Sequence, residues 1–250
     1  GSIVVLFSLA ILVGTIFNLY SIHYWRRSNS LAAVPYRYIH VAPYFIHNMF
    51  IAQELRKKSI AEYLLYMWQT EDLIRAYGCS LSRIRREYID KFDYTDEQKE
   101  ELADWYGNLI RMLNQEGKRE SGHLQINEII AQDMMDLHAQ LLQSSKFTFY
   151  NAEYFKVLPF IVELRNKGDK KNNEIETCLD ALYGVMMLRL QKKEITPATA
   201  HAVQEITTFV GMLSDYYIKD RTEGLMFEDN WPAKIQITLA EFLQHSFNQP

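Results

Sequence analysis

The chain has 250 residues, 48% of them apolar and 23% charged, and a net charge of −4 from 27 basic and 31 acidic side chains. That balance is globular, with chain enough to bury a core. Ten Gly and six Pro are about half the usual combined share, which excludes collagen-like and low-complexity chains and argues against a turn-dense all-β fold. The acidic balance gives no expectation of nucleic-acid binding. Cys79 and Cys178 cannot make a disulfide framework and suit a reducing compartment.

Residues 1–27 are an apolar segment. No side chain from Ile3 to Trp25 is charged, and residues 1–48 hold no Asp or Glu, only Arg26, Arg27 and Arg37. As a helix, Ile3 to Trp25 would reach roughly 34 Å, enough to cross a bilayer core. Tyr24, Trp25, Arg26 and Arg27 stand where interfacial aromatics and a positive-inside flank belong. Three readings compete. One is an anchor in the inner membrane with the rest of the chain in the cytoplasm. Another is a signal peptide, although its basic residues follow the apolar run instead of preceding it. The third is upstream sequence, not native to the protein, ahead of a true start at Met49. Residues 28–48, with Pro35 and Pro43, read as a linker.

Helical spacing dominates from Phe50 onward. Ile51, Leu55, Ala61, Leu64, Leu65, Trp68 and Ala76 predict one helix, closed by Gly78. Ser80 starts a short second helix through Phe92. Thr95 and Gln98 form a capping box for a third, which stops near Gly117. A fourth runs from about Leu124. A fifth runs from Phe147 to Gly168, with Pro159 inside it as an expected kink. Asn173 and Glu176 signal the start of a sixth, and Thr196-Pro197 the start of a seventh. The expectation is an all-α bundle of six or seven helices over residues 49–227. Residues 228–250 form an amphipathic tail carrying Trp231, Ile235, Leu239, Phe242, Leu243 and Phe247, fit to dock on the bundle or on a partner chain.

Several stretches carry a family resemblance. They are Met49-Phe-Ile-Ala-Gln-Glu-Leu-Arg56, Glu62 to Arg75, Pro159 to Arg165 and Glu176 to Arg189. In wording they resemble an all-helical bacterial family catalogued as domain of unknown function 4924, over about residues 49–229. The resemblance implies a helical fold and a native start near Met49, and it implies no activity. It favours reading residues 1–48 as upstream sequence. The domain is then expected in the cytoplasm, with a membrane role only if residues 3–25 are native.

Chemical motifs are sparse. Glu120-Ser-Gly-His123 has di-iron spacing once, but Gly117 and Gly122 place it in a loop, and it has no second copy. His201 and Glu205 stand one helical turn apart without a His-Glu-x-x-His motif. Asp133, Asp136 and His138 share a helix without ligand geometry. All of these are expected to be solvated. No phosphate loop, dinucleotide fingerprint or nucleophile elbow is present. The expectation is therefore no metal, no cofactor and no catalytic residue. The basic cluster at Arg83, Arg85 and Arg86 reads as a solvated helix face.

One constellation stands out. Glu71 and Asp72 fall in the apolar register of their helix, after Leu64, Met67, Leu65 and Trp68. Arg165 and Arg189 do the same on theirs. A charge taken out of water costs several kcal/mol unless paired, so these acids and arginines are expected to meet, with Arg75 as a local partner of Glu71. Trp68, Glu71, Asp72, Arg75, Arg165, Tyr183 and Arg189 are thus the candidate ligand-binding set. Function is expected to be non-catalytic, a binding or protein-interaction module that self-associates or takes a protein partner. The alternatives are an enzyme or small-anion binder using the carboxylate/arginine site, and a membrane-tethered helical domain.

Overall fold

A computed structural model describes residues 48–167 and 172–227. Eight α-helices account for most of these residues, and none of them lies in a strand. They are α1 (Asn48–Lys58), α2 (Ile60–Ala76), α3 (Leu81–Glu87), α4 (Asp96–Gln115), α5 (Gln125–Gln143), α6 (Thr148–Lys167), α7 (Glu174–Leu190) and α8 (Pro197–Glu223). The apolar N-terminal segment, the linker and the C-terminal tail lie outside the described residues.

Most helix starts follow their sequence signals. Thr95 and Gln98 satisfy each other's backbone N–H at the start of α4, and Asn173 and Glu176 do so at α7. Thr196 caps α8 ahead of Pro197. Helix ends are equally local. Gly78 has a φ of +68°, its N–H bonds to the Arg75 carbonyl, and the Cys79 N–H bonds to that of Ile74. That pair of bonds is the Schellman arrangement, which needs a left-handed residue at the turn. Gly117 ends α4 in the same way.

The first expected helix is two helices. Ser59 leaves helical geometry, with φ −155° and ψ 101°, and its Oγ accepts the Glu62 N–H. Ser214 on α8 completes the break by accepting the Ala61 N–H at 3.3 Å. Two serine hydroxyls thus take N–H groups that a continuous helix would have bonded internally. The expected seven helices become eight for this reason. Pro159 lies inside α6, which stays helical on both sides of it, and it faces solvent.

One core joins the helices. α2 packs against α1, α4, α5, α7 and α8, while α6 packs against α5, α7 and α8. Leu64, Ile74, Leu113, Met134, Tyr150, Phe209 and Leu213 are all removed from water. Burying each such side chain contributes roughly 1.5–3 kcal/mol against leaving it exposed. Among the described residues, no helix is long and apolar enough to cross a membrane.

Ser214→Ala should lower unfolding free energy by about 1 kcal/mol, because it strips the Ala61 N–H of its partner in a buried place. Urea denaturation of the variant measures this. No change in midpoint would mean that Ser59 alone holds the break.

Candidate functional site

Glu71 is the most buried acid of the described chain, with no surface exposed to water. Its carboxylate is held at the start of α5, where the N-cap residue Leu124 offers no capping side chain. Glu71 fills that vacancy from α2. Its Oε1 accepts the Leu124 N–H at 3.1 Å and the Asn127 Nδ2–H at 2.7 Å. Its Oε2 is 2.7 Å from His123 Nδ1. With the hydrogen on Nδ1, the imidazole gives this second oxygen a donor of its own. A helix N-terminus presents unpaired N–H groups and the positive end of its dipole, which suits an anion.

Asp72, the next residue, anchors a second set. Its Oδ1 pairs with Arg75 Nη1 at 3.0 Å, and its Oδ2 accepts the Tyr183 hydroxyl of α7 at 2.6 Å. Arg75 goes on to hold the α4–α5 loop. Its Nε and Nη2 donate to the Lys118 carbonyl at 3.2 and 3.1 Å, and Nη2 donates also to the Gly122 carbonyl. Burial and the Asp72 carboxylate push the Tyr183 phenol far above its ordinary value, so it remains a donor. Trp68 lies between the two sets. It stacks on His123 with ring centroids 4.1 Å apart and meets the edge of Tyr183 at 5.7 Å.

The structure therefore gathers Trp68, Glu71, Asp72, Arg75 and Tyr183 of the candidate set. The expected pairing of these acids with Arg165 or Arg189 does not occur. Arg165 is half-buried near the C-terminal end of α6, and Arg189 is exposed in the last turn of α7. The acids find backbone amides and Arg75 closer to hand, which removes the demand for a distant guanidinium. Arg75 also serves Asp72 and not Glu71. His123 does belong to a loop, but it is half-buried against Glu71 and Trp68 instead of solvated.

A second polar cluster lies deeper, on α5, α6 and α7. His138 is 1% exposed, against the expectation that it is solvated. Its Nδ1 is 2.7 Å from the Tyr150 hydroxyl and its Nε2 is 3.4 Å from Glu174 Oε2. Tyr154 donates to the same Glu174 oxygen at 3.0 Å. The rings of Tyr150, Tyr154 and Phe209 enclose the imidazole. Burial lowers the His138 pKa below 6.5, and the Glu174 carboxylate opposes that shift. Burial pushes the neighbouring Cys178 thiol up to about 12, so it is not a thiolate nucleophile at neutral pH. The sequence carries no sign that Glu174, the first residue of α7, reaches His138.

Neither cluster holds metal-ligand geometry. Among the described residues, no group of three or more His, Cys, Asp or Glu side chains is placed to hold a metal ion. The chemistry offered is acceptance and donation of hydrogen bonds, and all four oxygens of Glu71 and Asp72 are already engaged.

Residues 49–224 match the family described as Domain of unknown function (DUF4924). The chain belongs to this family. Neither a curated protein nor a solved structure matches it. The family boundary takes in both polar clusters and stops at the C-cap of α8.

Glu71→Ala should cost about 3–5 kcal/mol, since it leaves buried donors on Leu124 and Asn127 unpaired. Asp72→Asn should cost about 1 kcal/mol or less, because that side chain is 40% exposed. Equal losses in urea unfolding would contradict this ordering. His138 gives a pH signature of definite sign. Its folded pKa is depressed, so the unfolded chain binds the proton first as pH falls. The stability that His138 contributes is present above pH 6.5 and is lost as pH drops from there through the folded pKa. Thermal midpoints of wild type and His138→Gln between about pH 5 and pH 8 should converge toward the acid end.

Proposed function

We propose that the chain is a non-catalytic protein-interaction module that binds through the outer face of α6, with Glu71 and Asp72 serving to lock its helices together. The observation that carries the reading is a stripe of exposed apolar residues on that helix. Ala152, Phe155, Pro159 and Val162 recur at alternating spacings of three and four residues, the register of a helix seam. Phe155 is 64% exposed and Val162 50%, and Phe149, 67% exposed, extends the patch at its N-terminal end. Isolated exposed apolar residues need no explanation, but a contiguous stripe marks a contact surface. The opposite face of α6, with Tyr150, Tyr154, Val157 and Ile161, is committed to the core.

Two points weigh against a catalytic role. The carboxylates best placed for acid–base work are saturated by internal donors, and the buried cysteine is held as a thiol. The free thiols of Cys79 and Cys178 are in keeping with the cytoplasm. A second reading, a small polar ligand at the Glu71 site, draws on three buried atoms that lack partners: Trp68 Nε1, Gln69 Oε1 and Asn127 Oδ1. Those atoms equally accommodate bound water, so the α6 stripe carries more weight.

Hydroxyl-radical footprinting of the full chain tests the reading. With the α6 face engaged, Phe149, Phe155 and Val162 should be oxidised several-fold more slowly than in the denatured chain. Oxidation at the denatured rate would overturn an interaction role for this face.

A further inference from the structure

We infer that the partner of the α6 face is the chain's own C-terminal segment, residues 231–247, folded back along it as a helix. This rests on reading that face as a binding surface, and it names the occupant.

The path of the chain carries the argument. After α8, Phe227 is brought beside the start of α6. Its carbonyl accepts the Ser144 hydroxyl at 2.9 Å, and its ring is 5.5 Å from Phe147. Phe147 is two residues before Phe149, where the exposed stripe begins. The next residues therefore leave the described structure at the N-terminal end of that stripe. Trp231 lies four residues beyond Phe227, a reach of up to about 14 Å.

Pattern and length agree with the path. Trp231, Ile235, Leu239, Leu243 and Phe247 recur every four residues, with Phe242 beside them, and Pro232 suits a first helical turn. As a helix, residues 231–247 would run about 24 Å, against about 20 Å from Phe149 to Val162. A segment that starts at the N-terminal end of α6 and is this long can lie parallel to it over the whole stripe.

Tethering decides between this segment and a second copy of the chain. A short linker holds the segment at an effective concentration in the millimolar range. A second copy must overcome the loss of its own translational and rotational freedom. Stable interfaces bury about 800 Å² per partner, and one stripe of four side chains is narrow for that.

Hydrogen exchange of the full chain, read by mass spectrometry at two protein concentrations, tests the inference. Three forms are compared: wild type, Phe155→Glu/Val162→Glu, and Leu239→Glu/Phe242→Glu. In wild type, amides of residues 231–247 should exchange at least about tenfold more slowly than in an unstructured peptide, at both concentrations. Either double variant should abolish that protection. The second alters only the segment itself, so it cannot act by unfolding the bundle. Unprotected 231–247 amides in wild type, protection that survives Phe155→Glu/Val162→Glu, or protection lost on dilution would each overturn the inference. If the footprint at Phe155 persists while 231–247 is unprotected, the face is covered by something else and the functional reading stands. If both are lost, both fall.

Discussion

A carboxylate with no contact with water has to be satisfied from within, and the way Glu71 is satisfied sets the arrangement of the bundle. Its three donors all come from the first turn of α5 and the two residues just before it. The loss of hydration, several kcal/mol for a bare ion, is offset only while α5 starts at that point on α2. Helix–helix packing alone tolerates small slides, because apolar contacts are not directional. A charged group bonded to a particular turn does not. From there the constraint spreads. Arg75 holds the loop that leads into α5, Asp72 holds Tyr183 on α7, and α5 itself carries His138 into the second cluster.

The two clusters divide the work by depth. The Glu71 set lies where α2, the α4–α5 loop and α7 meet, and it keeps a partly wet edge at Asp72 and His123. The His138 set is drier and sits among aromatic rings, with its polar atoms answered by Tyr150, Tyr154 and Glu174. Low local polarity strengthens such bonds and equally penalises any that is missing. The outer face of α6 inverts this economy, since there apolar side chains such as Phe155 and Val162 are left uncovered by the bundle while the opposite face of the helix is packed.

Much of the fold was legible in the sequence because helix boundaries are local. Thr95, Asn173, Thr196 and Gly78 act within a few residues of themselves, and the structure uses each as its type suggests. The break at Ser59 has a local signature in Ser59 and Glu62, but the helical spacing on either side of it reads as one helix. Its other half, Ser214, is more than 150 residues away. The site was legible in part for the same reason. Acids in apolar register announced that Glu71 would be buried, but register says nothing about which neighbour arrives. A backbone N–H has no sequence letter, so Leu124 could not be foreseen as a partner. His123 and His138 looked solvated because a lone histidine on a mixed helix or loop carries no mark of the ring or carboxylate that will cover it.

The Ser214 contact has a consequence for biosynthesis. The ribosome delivers α1 and α2 early, but the hydroxyl that completes the start of α2 emerges only after some 150 further residues. At ordinary elongation rates that interval is about 8–30 s. Throughout it, the apolar surface that α2 will bury against α8 has nothing to pack on, and the surfaces meant for α5 and α7 wait until those helices are made. Every nascent copy therefore passes through a stage in which its first helices are exposed, and holding factors that bind apolar segments have that long to engage them. The finished bundle closes from its C-terminal end, when α8 docks across the helices made first.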